Sequence, residues 1–261
     1  MIVKIDKDTL FPYLMFNQEI KYTKNISLFP VKMKDYILFQ TLIPSITIRK
    51  NSTFRDKKII KMSYMDFLFY ASIHQDLGIE YNMSQLHNYY AYAIRLFMLC
   101  CNTQDVRVDV VTNSLQINGD KITQQMFDDI RRIIIIQNDV DFDVDEFINY
   151  DTEQKLIQSQ KINDKNADKS DIEDYIDSLV IAMKITEEQV MNMSIRKFWR
   201  YIKRYNLHES YTIAKTGECS GMVKFKDPIK HWMTSLDVED KYEHLKLDEK
   251  SLKEKIGNAN G

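Results

Sequence analysis

The sequence predicts an α+β fold that is predominantly α-helical, with a mixed N-terminal unit that contains a small β-hairpin and a helical C-terminal unit. Glycine and proline are scarce, at 6 and 4 of 261 residues, and residues 120–216 contain neither. Helix interiors exclude both residues, whereas sandwiches and barrels need them in their many tight turns. Apolar residues also recur at helical spacing in several segments, and one segment alternates as a hairpin does.

The first fifty residues predict a helix and a strand. Residues 31–42 favour a helix that ends at the turn around Pro44, because the residue before a proline avoids the α region. Residues 45–49 alternate between polar and apolar side chains. This alternation predicts a short strand.

Two apolar helices are predicted next. Ser63 and Asp66 resemble a capping box, with Asp in place of the usual Glu, and they open a helix that Gly78 ends. A longer helix begins at Asn82. Its apolar positions keep the helical period at Leu86, Tyr89, Tyr90, Ala93, Leu96, Phe97 and Cys100.

A hairpin and an amphipathic helix follow. Residues 106–110 alternate valine with charged residues, residues 112–114 can turn, and residues 115–117 return to the turn pair Asn118-Gly119. From Thr123 the pattern is helical again. Its apolar positions are Met126, Phe127, Ile130, Ile133 and Ile134.

The C-terminal part is predicted to be a series of helices. A capping box over residues 170–173 opens the first of them. Thr186 with Gln189, and then Ser194, begin two further short helices. A third covers residues 209–216, and Gly217 is placed to end it.

These patterns predict four regions. A mixed α/β unit covers residues 1–150, a polar hinge covers 151–170, a helical unit covers 171–236 and a charged tail covers 237–261. The hinge is mainly polar and charged, and a frayed helix is the other interpretation of it. The tail is expected to be a solvated helix with a loose end.

Charge and cysteine content exclude several classes of protein. The net charge of −2 gives no general attraction to nucleic acid. The three cysteines are odd in number and Cys100 and Cys101 are adjacent, so we expect a reducing compartment and buried thiols. No signal peptide is predicted, and the most apolar stretch, residues 89–101, is too short to cross a membrane and contains Arg95.

No motif predicts a metal or cofactor site. Four aspartates alternate over residues 139–145, but a calcium loop would need glycine where Val144 stands and glutamate where Tyr150 stands. The chain lacks zinc spacings, glycine-rich phosphate loops and nucleophile elbows. The sequence therefore predicts a non-enzymatic protein without catalytic residues, metal or cofactor.

The basic segment over residues 194–205 is the one chemically distinctive stretch. Its apolar stripe consists of Ile195, Phe198, Ile202 and Tyr205. Arg196, Arg200 and Lys203 are predicted to form a basic ridge beside Trp199. Three interpretations stay open, namely an amphipathic helix with a solvated basic face, a surface for a protein partner and a nucleic-acid surface.

Trp232 is a further candidate residue. Pro228 fixes the start of its segment, and Ile229 and Met233 share its side at short helical spacing. Because a tryptophan side chain is large, we expect Trp232 to anchor the core of the C-terminal unit or to contact a partner.

Several stretches together resemble a known family. They are residues 185–205, 211–216, 220–226 and 228–233, with residues 32–36, 58–64 and 137–139 upstream. They resemble tail-assembly-chaperone-like proteins from phages of low-GC Gram-positive bacteria, over most of the chain.

The resemblance implies function and partners. Such a chaperone holds the tape measure protein of a growing tail soluble and helps recruit tail tube subunits, in the host cytoplasm and without catalytic residues. Self-association is left open, and neither nucleic acid nor a membrane is an expected partner. The alternative is a structural component of the phage tail or baseplate.

Overall fold

The computed structural model describes residues 5–109, 111–142, 144, 171–221, 225 and 228–236. By its internal contacts the chain divides into a first unit, residues 1–199, and a second unit, residues 200–261. The fold is mixed α+β and mainly helical, as predicted.

Helices form most of the first unit. In chain order the helices of its described residues are α1 (Lys7–Phe16), α2 (Tyr36–Leu42), α3 (Lys50–Thr53), α4 (Lys57–Lys61), α5 (Tyr64–Ile73), α6 (Asp76–Glu80), α7 (Tyr89–Cys101), α8 (Gln124–Gln137), α9 (Ile172–Met183) and α10 (Glu187–Met191). A long helix, α11 (Ile195–Cys219), begins in the first unit and continues into the second.

In the described part of the chain, two small antiparallel sheets accompany the helices. One pairs β1 (Ile20–Lys21) with β2 (Ser27–Leu28), and the other orders β3 (Val106–Asp109), β4 (Ser114–Ile117) and β5 (Asp120–Ile122). The predicted hairpin is confirmed as β3 and β4. Asn118 and Gly119 both have positive φ, at 50° and 82°, as a tight two-residue hairpin turn requires. This turn leads into β5, which the sequence did not predict.

The core lies where α5, α7 and α8 pack together. Phe127 of α8 is 0% exposed, and its ring centroid lies 4.8 Å from that of Phe97 and 6.4 Å from that of Tyr64. These three rings belong to three different helices. The aromatic contacts therefore join α5, α7 and α8 into one core.

Capping side chains confirm several predicted helix starts. Ser63 Oγ, Thr123 Oγ1 and Thr186 Oγ1 each accept a backbone N–H three residues on. In the C-terminal part the capping box lies one residue later than predicted, with Asp171 rather than Ser170 as the cap. These bonds are local, so sequence alone can predict them.

The strand predicted over residues 45–49 is wrong. Residues Ile43–Ile46 form a 3₁₀ turn, and α3 begins at Lys50. Ser45 and Ile46 are both fully buried, so the alternation of polar and apolar side chains does not separate two faces. The Ser45 hydroxyl donates to the carbonyl of Leu42 at 2.6 Å, which satisfies it inside the helical turn.

Two predicted helix boundaries are also wrong. Gly78 does not end α5 but lies within α6, where an added Cβ would stand 2.7 Å from the Met83 carbonyl oxygen. Glycine is needed there for the close approach of two backbone segments. Asn82 takes a left-handed conformation, with φ of 54°, and α7 begins only at Tyr89.

The separate helix predicted over residues 209–216 is wrong as well. These residues lie inside α11, which runs past Gly217 to Cys219. One glycine costs a helix only about 1 kcal/mol relative to alanine, so a long helix can continue through it.

The thiols give a direct test of this fold. Cys100 and Cys101 are buried in α7, as predicted, whereas Cys219 is exposed. Burial raises the pKa of the Cys101 thiol to about 12 and holds the pKa of the Cys100 thiol well above its usual range.

We expect a disulfide reagent at pH 8 to label one thiol of the native protein and three after unfolding. Cys219→Ser should abolish the native labelling, and rapid labelling of two or three native thiols would contradict the packing of α7.

The polar hinge at residues 151–170 and the charged tail at 237–261 lie outside the described residues, so the division of the chain at 151–170 stays a prediction. Across that hinge, however, the described parts of the first unit are bonded to each other. The Met33 N–H donates to the Met193 carbonyl at 2.8 Å, and the Ile195 N–H donates to the Val31 carbonyl at 2.9 Å.

These bonds lead to a second test. We expect limited proteolysis to cut first within residues 151–170, and we expect the two fragments to elute together in gel filtration because backbone bonds and apolar contacts still join them. Elution as separate fragments would contradict the packing of residues 171–199 on the N-terminal part. Early cutting within residues 171–205 would contradict the predicted hinge.

Candidate functional site

The predicted basic ridge is not formed as expected, because Arg196 is buried. Its side chain is only 4% exposed, and Nη1 donates to the carbonyl oxygen of Leu14 in α1 at 3.1 Å. The guanidinium is thus a buried link between α11 and α1. It is not available to a phosphate or to a partner at the surface.

The other two cations of the ridge belong to the second unit. Arg200 is half-buried and Lys203 is exposed. On the apolar stripe, Ile195, Phe198 and Ile202 are buried as predicted, whereas Tyr205 is 36% exposed. The amphipathic pattern of the helix is therefore confirmed over its first two turns.

Trp199 is half-buried within an aromatic cluster of the first unit. Its ring lies 5.2 Å from Tyr175 of α9, 5.1 Å from Phe198 and 6.4 Å from Tyr36 of α2, as centroid distances. Edge-to-face contacts of this kind stabilise packing between helices. Trp199 thus joins α2, α9 and the first turn of α11.

Trp232 lies in the second unit, in the segment of residues 228–236. It is half-buried, and the His208 ring meets it edge-on at 5.0 Å between centroids. Arg204 of α11 donates to the carbonyl oxygens of Trp232 and Thr234. Met233 is 66% exposed, so it does not share a buried side with Trp232 as the sequence predicted. Trp232 therefore packs its segment against α11 and does not lie in a buried core.

One exposed apolar feature of the described residues was missed by the sequence analysis. It lies on α1, which begins after Asp6, whose carboxylate accepts the Thr9 N–H at 2.8 Å, and ends at Asn17, which has φ of 57°. Leu10 and Leu14 stand one turn apart and are buried. They attach α1 to the first unit.

Four other large side chains of α1 remain exposed. They are Phe11 at 49%, Tyr13 at 38%, Met15 at 43% and Phe16 at 64%, and we call them the α1 apolar surface. With Leu10 and Leu14 they make α1 apolar on nearly every side. A helix of that kind is usually buried all round, and exposed apolar patches mark sites of interaction.

Two other kinds of site are absent from the described residues. No described helix is long and apolar enough to cross a membrane. In the same part of the chain, no three His, Cys, Asp or Glu side chains lie close enough together to hold a metal ion.

Part of the chain is similar to a known protein family. Residues 146–237 match a family model described as the YomV second domain, and YomV is a Bacillus phage protein. The match indicates a phage-related protein. Its described part holds α9, α10, α11 and the Trp232 segment, while the α1 apolar surface lies outside it. No curated protein and no solved structure matched the chain.

Proposed function

We propose that this protein is a non-enzymatic phage tail-assembly chaperone, which binds apolar helical segments of the tape measure protein through the α1 apolar surface and helps recruit tail tube subunits. The observation that carries the proposal is the exposure of that surface. The phage-associated domain at residues 146–237 supports a role in a phage, and the choice of partner follows from the family resemblance.

The α1 apolar surface suits an apolar partner on energetic grounds. Fully burying one large apolar side chain is worth about 1.5–3 kcal/mol, so completing the burial of four half-exposed ones can supply a substantial part of a binding energy. Met15 adds a flexible thioether, which adapts to partners of varied shape. Leu10 and Leu14 hold the helix in place, so binding does not have to order it first.

Coexpression with the tape measure protein tests the proposal. We expect the unaltered protein to keep the tape measure protein in the soluble fraction and to purify with it. The double variant Phe11→Ser, Phe16→Ser should lose this capture with a modest loss of stability, because about half of the Phe11 side chain and most of the Phe16 side chain already face solvent. Ile79→Gln is the matched control, since Ile79 is 80% exposed on a different helix, α6.

Equal capture by the double variant would contradict the role of the α1 apolar surface. Presence of the protein in purified phage particles, detected by mass spectrometry, would favour the structural component of the tail or baseplate, because a chaperone leaves and a structural part stays.

Salt dependence separates protein binding from nucleic-acid binding. Binding to duplex DNA weakens steeply with salt, with a slope of about −0.9 per phosphate neutralised. Apolar contacts of α1 should show little salt dependence. We expect no duplex binding near physiological salt, and Arg200→Glu with Lys203→Glu tests the remaining cations of the predicted ridge. Tight, steeply salt-dependent binding that this pair of substitutions removes would replace the chaperone proposal.

A further inference from the structure

One edge of the three-stranded sheet is open. At the other edge, the Asp120 carboxylate of β5 accepts hydrogen bonds from the Thr23 hydroxyl and the Asn25 amide, both at 2.7 Å, so the segment between β1 and β2 lies beside β5. β3 forms the open edge, and its last three residues are exposed, with Val108 at 37%. Among the described residues, no strand other than β4 pairs with β3. An open edge is a template for pairing with another strand.

The pairing of β3 with β4 fixes which backbone groups point outward. The Asn118 N–H, at the end of β4, donates to the Asp105 carbonyl at 2.9 Å. Bonded and non-bonded pairs alternate along an antiparallel ladder, so Val106 and Val108 direct their N–H and C=O groups away from β4. The Val106 N–H is already used, because it donates to the Gln104 carbonyl at 3.0 Å. In the described part of the chain, Val108 thus presents an unpaired N–H and an unpaired C=O at the open edge.

The charges of β3 are self-complementary about Val108. When two copies of β3 pair antiparallel with Val108 opposite Val108, Arg107 of each copy stands opposite Asp109 of the other. Opposite charges that face each other across a ladder stabilise the pairing. A two-fold axis at Arg107 would instead place two arginines face to face, and an axis at Val106 would need an N–H that Gln104 already binds. The charges and the unpaired backbone groups therefore favour the same register.

Both charged side chains can take a further partner. Arg107 Nε lies 3.5 Å from Asp105 Oδ1, but 79% of the Arg107 side chain is exposed and its other N–H groups can donate. Asp109 holds the turn after β3, where it accepts the Val111 N–H at 2.9 Å and the Thr112 hydroxyl at 2.6 Å. The bond from Thr112 lowers the pKa of Asp109, so the carboxylate stays charged. A carboxylate has about four lone-pair sites, which leaves room for an arginine.

We propose that two copies of this protein associate through β3, whose antiparallel pairing about Val108 joins two three-stranded sheets into one six-stranded sheet. The two-fold pairing adds reciprocal backbone hydrogen bonds at Val108, sets Arg107 against Asp109 twice and covers the exposed part of both Val108 side chains. An interface of this size suits a weak, reversible dimer. No residue of the α1 apolar surface takes part, so the inference does not rest on the proposed chaperone function.

Sedimentation velocity of the full-length protein tests the proposal. We expect a monomer–dimer equilibrium that shifts towards the dimer as the protein concentration rises. Val108→Pro should abolish the dimer, because proline lacks the N–H that the second copy needs. That N–H points away from β4, so the substitution removes no hydrogen bond of the β3–β4 ladder.

Charge reversal tests the register. Arg107→Asp should weaken the dimer by at least about tenfold, because it sets two carboxylates opposite each other on both sides of the axis. Lys121→Asp is the matched control, since it makes the same change of charge at an exposed position of β5 and should leave the dimer unchanged.

A mixture of two variants is the most specific test. Arg107→Asp gives a strand with two negative charges, and Asp109→Arg gives one with two positive charges. Each folded variant should be mainly monomeric alone, and an equal mixture should dimerise, because both ion pairs are then restored between unlike chains.

Several outcomes would overturn the proposal. They are a monomer at every concentration, and a dimer that folded Arg107→Asp and Val108→Pro leave intact. Loss of the dimer in the double variant Phe11→Ser, Phe16→Ser, but in neither β3 variant, would place self-association on the α1 apolar surface instead.

Discussion

Arg196→Glu is expected to lower the free energy of unfolding by about 3–5 kcal/mol, because it replaces a buried, hydrogen-bonded cation with an unpaired anion. In the native protein the Arg196 guanidinium donates to the Leu14 carbonyl oxygen, and only 4% of the residue is exposed. A carboxylate at that place would face a carbonyl oxygen at low local dielectric. Neither group could donate a hydrogen bond to the other.

A graded series of variants separates charge from packing. Arg196→Met keeps an apolar stem but removes the guanidinium donor from the Leu14 carbonyl, which keeps only the 3.4 Å bond from the Asn17 N–H. It should therefore cost about 1–3 kcal/mol. Lys203→Glu reverses an exposed charge on the same helix and should change stability by less than about 0.5 kcal/mol. Urea denaturation measures all three. Equal stability of Arg196→Glu and Lys203→Glu would show that the side chain of Arg196 lies in solvent.

The same series bears on the chaperone proposal. Leu14 lies in α1, so loss of the Arg196 bond should loosen the helix that presents the α1 apolar surface. We expect Arg196→Met to weaken capture of the tape measure protein and to lower stability together. The double variant Phe11→Ser, Phe16→Ser should weaken capture far more than it lowers stability. This contrast distinguishes a residue that holds the surface from residues that form it.

Local chemistry explains which elements the sequence predicted correctly. Thr123 and Thr186 cap helices through bonds to N–H groups three residues away, and Asn118-Gly119 turns through its own backbone preferences. These helix caps and this turn need no contact with residues far away in the sequence. The periodicity of α8 also predicted its buried side, because one face of that helix meets the core along its length.

Distant contacts explain the errors. Arg196 falls on the polar side of an amphipathic pattern, but the carbonyl that binds it belongs to Leu14, 182 residues earlier. Gly78 looks like a helix end, but the Met83 carbonyl fixes its role. The residues near Arg196 or Gly78 in the sequence do not indicate that these side chains and backbone segments meet the Leu14 and Met83 carbonyls.

The α1 apolar surface and the burial of Arg131 were missed for different reasons. Pro12 lies inside α1, and because proline disfavours helix interiors, the apolar run around it does not predict a helix. Arg131 stands beside Arg132 in α8, and nothing in that pair shows which arginine is buried. Only the fold, which places Ile46 and Tyr64 against Arg131, distinguishes them.

Phe127→Ala is expected to lower the free energy of unfolding by about 3–5 kcal/mol, the usual cost of emptying a large aromatic site in a core. Phe127 is 0% exposed, and its contacts with Phe97 and Tyr64 join α8 to α7 and α5. Part of this drop in the free energy of unfolding comes from the buried apolar area that the substitution removes. The rest comes from the cavity that it leaves, because α5, α7 and α8 are closely packed and cannot collapse into it. Phe127→Leu keeps most of the volume and should cost roughly half as much.

Phe16→Ala is the matched control for this measurement, because the same side chain is removed from a position that is 64% exposed. It should change the free energy of unfolding by less than about 1 kcal/mol, since little buried area is lost. Urea denaturation with an unchanged m-value would show that all the variants unfold from the same compact state. If Phe127→Ala and Phe16→Ala were equally stable, Phe127 could not lie at the junction of α5, α7 and α8.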